Sequence, residues 1–123
     1  LGLTRSEILN LRGEDLDAAC ALLCMDDAQW IKDHDFWVIA SAGNRWRFEP
    51  STQLASAALA YESMANRGWS RLTVESDGIK WRAAVLDRSR YLVALSQFHE
   101  TEAEARTMAC VLAAWKDEQD GIE

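Results

Sequence analysis

The sequence predicts an α+β domain: a three-stranded antiparallel meander packed against two long helices, with a helical segment at the N-terminus. Three observations carry that prediction. An Asp77-Gly78 pair stands between two runs of alternating polarity, the pattern of a β-hairpin. Two stretches, about 52–66 and 102–116, repeat small apolar residues at intervals of three and four, as a helix with one buried face does. Thr4-Arg-Ser-Glu7 and Thr101-Glu-Ala-Glu104 both have the spacing of a capping box, which marks where a helix starts.

In chain order, the Thr4 hydroxyl is placed to accept from the Glu7 amide while the Glu7 carboxylate reaches back. A short helix carrying Ile8, Leu9 and Leu11 should begin there and break near Gly13. A second helix follows from about Glu14 to Met25. Glu14, Asp15 and Asp17 suit the positive end of its dipole, and Leu16, Ala19, Cys20, Leu23 and Cys24 form its apolar stripe. Residues 1–25 therefore read as a helical arm. Residues 26–49 form an aromatic segment of weak periodicity. Phe36-Trp-Val-Ile39 has strand composition, Gly43-Asn44 reads as a turn, and Arg45-Trp-Arg-Phe48 alternates, so a short hairpin is expected.

Residues 50–116 hold the expected core. Pro50 precedes Ser51 and Thr52, either of which can cap a helix running to about Asn66 with a stripe of Leu54, Ala57, Ala58, Tyr61, Met64 and Ala65. Gly68 sits where such a helix ends in the left-handed conformation. With Asp77 and Gly78 as a two-residue type I′ turn, Ser76 faces Ile79, Glu75 faces Lys80, Val74 faces Trp81, Thr73 faces Arg82 and Leu72 faces Ala83. One face then gathers Leu72, Val74, Ile79, Trp81, Ala83 and Val85; the other gathers Arg71, Thr73, Glu75, Lys80 and Arg82. After a loop at Arg88-Ser-Arg90, residues 91–96 supply the third strand. The last helix buries Ala105, Met108, Ala109, Leu112 and Trp115, and the acidic tail 117–123 is expected to fray.

At 123 residues the chain fits one domain, 1–123, with enough core to fold without staples. Three cysteines in apolar surroundings read as reduced thiols. No run approaches the roughly 18 apolar residues of a membrane span, and no basic flank leads into an apolar signal region. A cytoplasmic protein is expected. The net charge of −7 is uneven: eight acids against three bases over residues 1–35, five against eight over 36–99, and seven against two over 100–123. Acidic termini around a mildly basic middle weigh against nonspecific binding of nucleic acid.

The blocks Thr4-Arg-Ser-Glu-Ile-Leu9, Gly13-Glu-Asp-Leu-Asp17, Ser51-Thr-Gln-Leu-Ala-Ser-Ala-Ala-Leu-Ala-Tyr61, Gly68-Trp69 and Glu104-Ala-Arg-Thr-Met-Ala-Cys-Val-Leu-Ala113 together resemble the phage ABA sandwich domain family, small proteins of phages and prophages. The resemblance spans Thr4 to about Trp115. Its motifs are helix starts and core stripes, so it implies a fold and a phage or prophage origin and no activity. It implies helices on both faces of the sheet. Two placements are open: the acidic N-terminal helix covers the basic face, or both long helices share the apolar face and the basic face stays wet. The second is favoured. The family's usual connection is shorter and rich in turns, which sets Asp26–Glu49 apart as the segment special to this chain.

Candidate chemistry is sparse. Cys20 and Cys24, at i and i+4, could donate two thiolates, with His34 or His99 completing a zinc site, but their neighbours Leu16, Ala19 and Leu23 favour packing. Ser96 to His99 with Glu100 or Glu102 has the residue types of a triad without a nucleophile elbow, and Asp33-His34-Asp35 reads as a solvated loop. No phosphate-cradling loop occurs. The expectation is a non-enzymatic protein with no catalytic, metal or cofactor site and no cofactor.

Of six tryptophans, Trp81 and Trp115 have core assignments. Trp30, Trp37 and Trp46, with Phe48, form a candidate interaction surface. Arg71, Lys80, Arg82 and Arg90 form a candidate basic sheet face, whose lack of aromatics argues against stacking bases. The function read from the sequence is that of a small acidic accessory protein acting through protein–protein interaction. Its partner would be an unknown host or phage protein, such as a defence or nucleic-acid-binding protein whose DNA it mimics. Self-association through an exposed sheet edge or the aromatic segment 30–48, and single-stranded nucleic-acid binding by the basic face, stand as alternatives.

Overall fold

The predicted meander forms from β4 (Trp69–Ser76), β5 (Trp81–Asp87) and β6 (Leu92–Leu95), antiparallel and in that order. The structure, a computed structural model, describes residues 2–25, 31–33, 36–41, 44–65 and 67–120. The hairpin register differs from the expected one by two residues: Ser76 faces Trp81, Glu75 faces Arg82, Val74 faces Ala83 and Leu72 faces Val85. The Asp77 side chain is the cause. Its Oδ1 accepts from the amides of Ile79 (2.9 Å) and Lys80 (2.7 Å), and the Ser76 hydroxyl donates to the Lys80 carbonyl (2.8 Å). A four-residue loop therefore replaces the type I′ turn, and of its residues only Gly78 takes a positive φ, +98°. Those amides also hold the Asp77 carboxyl below its ordinary range.

A shift of two preserves side-chain parity, so the faces survive the register change. Ala83, Val85 and Ala94 are buried, and Leu72, Val74 and Trp81 pack partly buried beside them. Arg71, Thr73 and Glu75 are exposed on the other side, whereas Lys80, expected on that face, lies exposed in the loop. Ile79, expected on the apolar face, lies in the loop and is exposed, and Tyr91 is exposed as well.

The helix α4 (Glu102–Asp120) is the centre of the molecule. It packs on β5, β6 and β4 with one side and on α2 (Gly13–Cys24), α3 (Leu54–Ala65) and α1 (Arg5–Leu9) with the other. From Thr107 to Ala114 every residue is buried. The predicted stripe covered only part of this. The segment Met108-Ala-Cys-Val-Leu-Ala-Ala-Trp115 holds no polar residue, as a helix enclosed on all sides requires, and its alanines let neighbours approach on both faces. Buried Thr107 turns its hydroxyl onto the Ala103 carbonyl (2.7 Å). The helix also runs on to Asp120 rather than fraying at Asp117.

The N-terminal arm lies against α4 and α3 rather than over the outer sheet face. The helices thus lie on the apolar side of the β4–β6 sheet, as in the favoured placement and not in the two-sided cover that the family resemblance implies, but only α4 spreads across the strands: α3 packs mainly on α4 and reaches the sheet at β4 alone. The Thr4–Glu7 capping box forms in full, with bonds of 3.0 and 3.2 Å. The Thr101 box forms by half: Thr101 Oγ1 accepts from the Glu104 amide (3.2 Å), while the Glu104 carboxylate turns to His99 and Arg12. The predicted stripe of α2 is buried throughout; that of α3 is rotated, with Ala57, Ala60 and Met64 buried and Leu54 and Ala58 exposed.

The aromatic segment contributes a second antiparallel sheet, β1 (Ile31–Asp33), β2 (Phe36–Ser41) and β3 (Asn44–Arg47). The expected hairpin is its β2–β3 pair, which closes at Ser41 opposite Asn44. Among the described residues no helix is long and apolar enough to cross a membrane.

Candidate functional site

Of the predicted aromatic surface, Trp30 lies outside the described residues, as do the side chains of Trp37 and Trp46. Backbone register places Trp37 opposite Lys32 and Trp46 opposite Ile39. Phe48 corrects the expectation: it is 0% exposed within the core, so its ring packs and presents nothing to a partner.

Two of the four cations of the predicted basic face are paired with acids. Arg82 pairs with Glu75, the neighbour that the shifted register brings opposite it, and its guanidinium lies 4.7 Å from the centroid of the Phe98 ring. Lys80 pairs with Glu100 at 3.4 Å. Arg90 takes φ +67° in the β5–β6 turn, and Arg71 is exposed. The sequence placed no aromatic on this face. Phe98 is one, and Arg82 covers it.

The catalytic alternatives resolve into structural contacts. Ser96 is buried, accepts from the Ala83 amide (2.9 Å) and donates to the Gln97 carbonyl (2.8 Å). The carboxylate that meets His99 is Glu104 (2.7 Å from Nδ1), not Glu100 or Glu102; Glu102 pairs with Arg106 at 3.5 Å. Arg12 adds to this contact at 3.5 Å, binding the arm to the start of α4. His34 and Asp35 lie outside the described residues. Cys20, Cys24 and Cys110 are buried free thiols. Burial drives the pKa values of Cys20 and Cys110 up, with Cys24 adding to both. They pack as protonated, apolar groups, and among the described residues no cluster of three or more His, Cys, Asp or Glu is arranged to hold a metal ion.

What the sequence did not disclose is a groove of about 540 Å³ beside the edge of β6 that has no strand neighbour among the described residues. Leu92 through Leu95 form one wall, Leu112 and Trp115 of α4 the other, and Arg5 and Lys116 stand at its rim. Leu92 is 54% exposed and Leu95 38%. Neither Arg5 nor Lys116 has an ion-pair partner among the described residues. Past Leu92 and Val93 the groove continues toward Tyr91, Asp87 and Arg67.

Local bonds set both walls. The Asp87 carboxylate accepts from the amides of Ser89 (2.8 Å) and Tyr91 (3.0 Å), and this turn launches β6. The Trp115 indole donates to the Leu3 carbonyl (2.8 Å), which holds the arm, and Arg5 with it, beside α4. Ser96 N–H donates to the Ala83 carbonyl (2.9 Å) and Ala94 lies opposite Val85. Leu95, between these two pairs, then turns its main-chain groups away from β5, while the register shift between Val85 and Leu86 interrupts the alternation at Val93. The signal present in the sequence was a strand apolar at both parities: Tyr91, Val93 and Leu95 as well as Leu92 and Ala94. Neither a protein-family model nor a curated protein matches the chain.

Proposed function

We propose that this chain is a non-enzymatic binding protein that acts through protein–protein contact at the β6 groove. One observation carries the reading. A sheet edge with no strand neighbour among the described residues, exposed leucines and two cations, Arg5 and Lys116, with no ion-pair partner among those residues converge on one concavity, the combination that sheet-edge recognition uses. A phage or prophage accessory role belongs to the same reading through the sequence resemblance. The groove is favoured over DNA mimicry by the acidic termini because several of those acids are engaged internally: Glu7 with Thr4, Asp17 with Ser51, Glu102 with Arg106 and Glu104 with His99. Single-stranded nucleic-acid binding falls behind because two of the four outer-face cations are paired.

The test is photo-crosslinking in cells from benzoylphenylalanine placed at Leu92 or Leu95, with exposed Glu62 on α3 as the control position. Adducts from the two groove positions and none from the control support the reading. Adducts confined to Glu62, or none anywhere, refute it.

A further inference from the structure

We propose that residues 3–12 are a strap that undocks from α4 while the rest of the fold stays closed, and that the β6 groove is complete only with the strap down; this rests on the groove being the protein-binding site. The strap is lightly held. Of its residues only Ile8 is fully buried, Leu3, Leu9 and Leu11 are half-buried, and the remainder are exposed. Its one helix, α1, has five residues, far short of the roughly 12–15 that an isolated helix needs in water. Undocking and unwinding are therefore one step, and the chain entropy released favours it.

Three long-range polar contacts oppose that step. The Trp115 indole donates to the Leu3 carbonyl (2.8 Å) and the Gln97 side-chain amide donates to the Leu9 carbonyl (2.8 Å). Arg12 stands 3.5 Å from Glu104, a carboxylate that buried His99 holds at 2.7 Å. The strap joins α2 at Gly13, where φ is +55°, a conformation that glycine adopts without strain and other residues do not. In contrast, α4 is covered by α2, α3 and the β4–β6 sheet, so most of its cover remains when the strap leaves.

The strap also finishes the groove. Arg5 forms part of its rim, and the Leu3 carbonyl fixes the Trp115 ring that makes part of its wall. Undocking removes the first and frees the second. A partner seated against both binds the docked state alone and holds the strap down, so groove occupancy and strap order are linked.

The experiment is native-state hydrogen exchange of the full chain, followed amide by amide by NMR and corrected for intrinsic rates, on the parent, Gly13→Ala and Ile8→Asp. We expect the bonded amides of Ile8 and Leu11 to exchange about a hundredfold or more faster than those of residues 107–114, with the Trp115 indole N–H following the strap. A Cβ at Gly13 meets nothing within 4 Å, so Gly13→Ala acts through φ alone. It should speed strap exchange by about fivefold or more and leave residues 107–114 unchanged. Ile8→Asp places a charge at the strap's one fully buried site. It should abolish strap protection, keep that of α4, and cut crosslinking from benzoylphenylalanine at Leu92 by about tenfold or more. Equal protection of strap and α4 in the parent, or loss of both together in Ile8→Asp, overturns the strap. Full crosslinking from a chain whose strap has lost protection overturns its control of the groove. Absence of adducts from the parent as well refutes the groove as a protein-binding site, while the exchange rates still decide whether the strap opens on its own.

Discussion

Replacing Val111 by alanine changes stability in opposite directions for a helix buried on one face and a helix enclosed on two. The predicted stripe of Ala105, Met108, Ala109, Leu112 and Trp115 leaves Val111 off the buried face, about 100° around the helix from its centre and turned toward solvent. There the substitution would stabilise the protein by about 0.5 kcal/mol, because alanine is the better helix former. In the folded chain Val111 is 0% exposed. Two methyl groups then leave a filled interior, a loss of about 1.6 kcal/mol in transfer free energy, and the space they vacate adds up to about 1 kcal/mol. Setting the gain in helix propensity against this leaves a net loss of about 1–2 kcal/mol. Urea denaturation followed by tryptophan fluorescence reads it directly. With a slope typical of a small domain, the midpoint should fall by about 0.5–1 M at unchanged slope. A midpoint that stays or rises would refute the two-sided burial of α4.

Phe48→Ala should cost about 3–5 kcal/mol, because a fully buried ring leaves a cavity; a thermal midpoint within a degree or two of the parent would return Phe48 to the surface. Asp17 is buried and its Oδ1 accepts from the Ser51 amide at 2.7 Å, yet burial outweighs that bond and raises its pKa above the usual 3.8. The folded chain holds this proton more tightly than the unfolded one, so the associated stability is complete below about pH 4 and is lost as pH rises through the folded pKa. Asp17→Asn keeps an acceptor for Ser51 and should raise the melting temperature at pH 7 relative to the parent, with the gap closing by pH 4; a gap independent of pH would refute the assignment. The three thiols should resist a disulfide reagent at pH 8 until urea unfolds the chain, and rapid labelling of the native protein would contradict their burial.

Much of the fold was legible because it is written in short-range chemistry. The Thr4–Glu7 box, the stripe Leu16, Ala19, Cys20, Leu23, Cys24 and the alternating faces of β4 and β5 need only neighbours within a few positions. The hairpin register was missed by two because the Asp77 carboxylate, which propensity counts treat as a turn former of fixed type, organises a longer loop through the amides of Ile79 and Lys80. Phe48 was misplaced because alternation with arginines looks the same for a surface strand and for a strand whose end enters the core.

Sequence alone therefore settled the four helices and five of the six strands of the described residues and which side of the main sheet is apolar, since these follow from periodicity and local hydrogen bonding, and it missed the short β1 at Ile31–Asp33. Tertiary structure decided the enclosure of α4, the Glu75–Arg82 pairing and the groove beneath β6. Each depends on surfaces from distant parts of the chain meeting: a helix is enclosed only when α2 and α3 close over it, and a groove forms beside β6 only when the arm sets Arg5 beside Trp115 and Lys116. Those encounters cost chain entropy and are stabilised by burial summed over the whole core, which no window of neighbouring residues encodes.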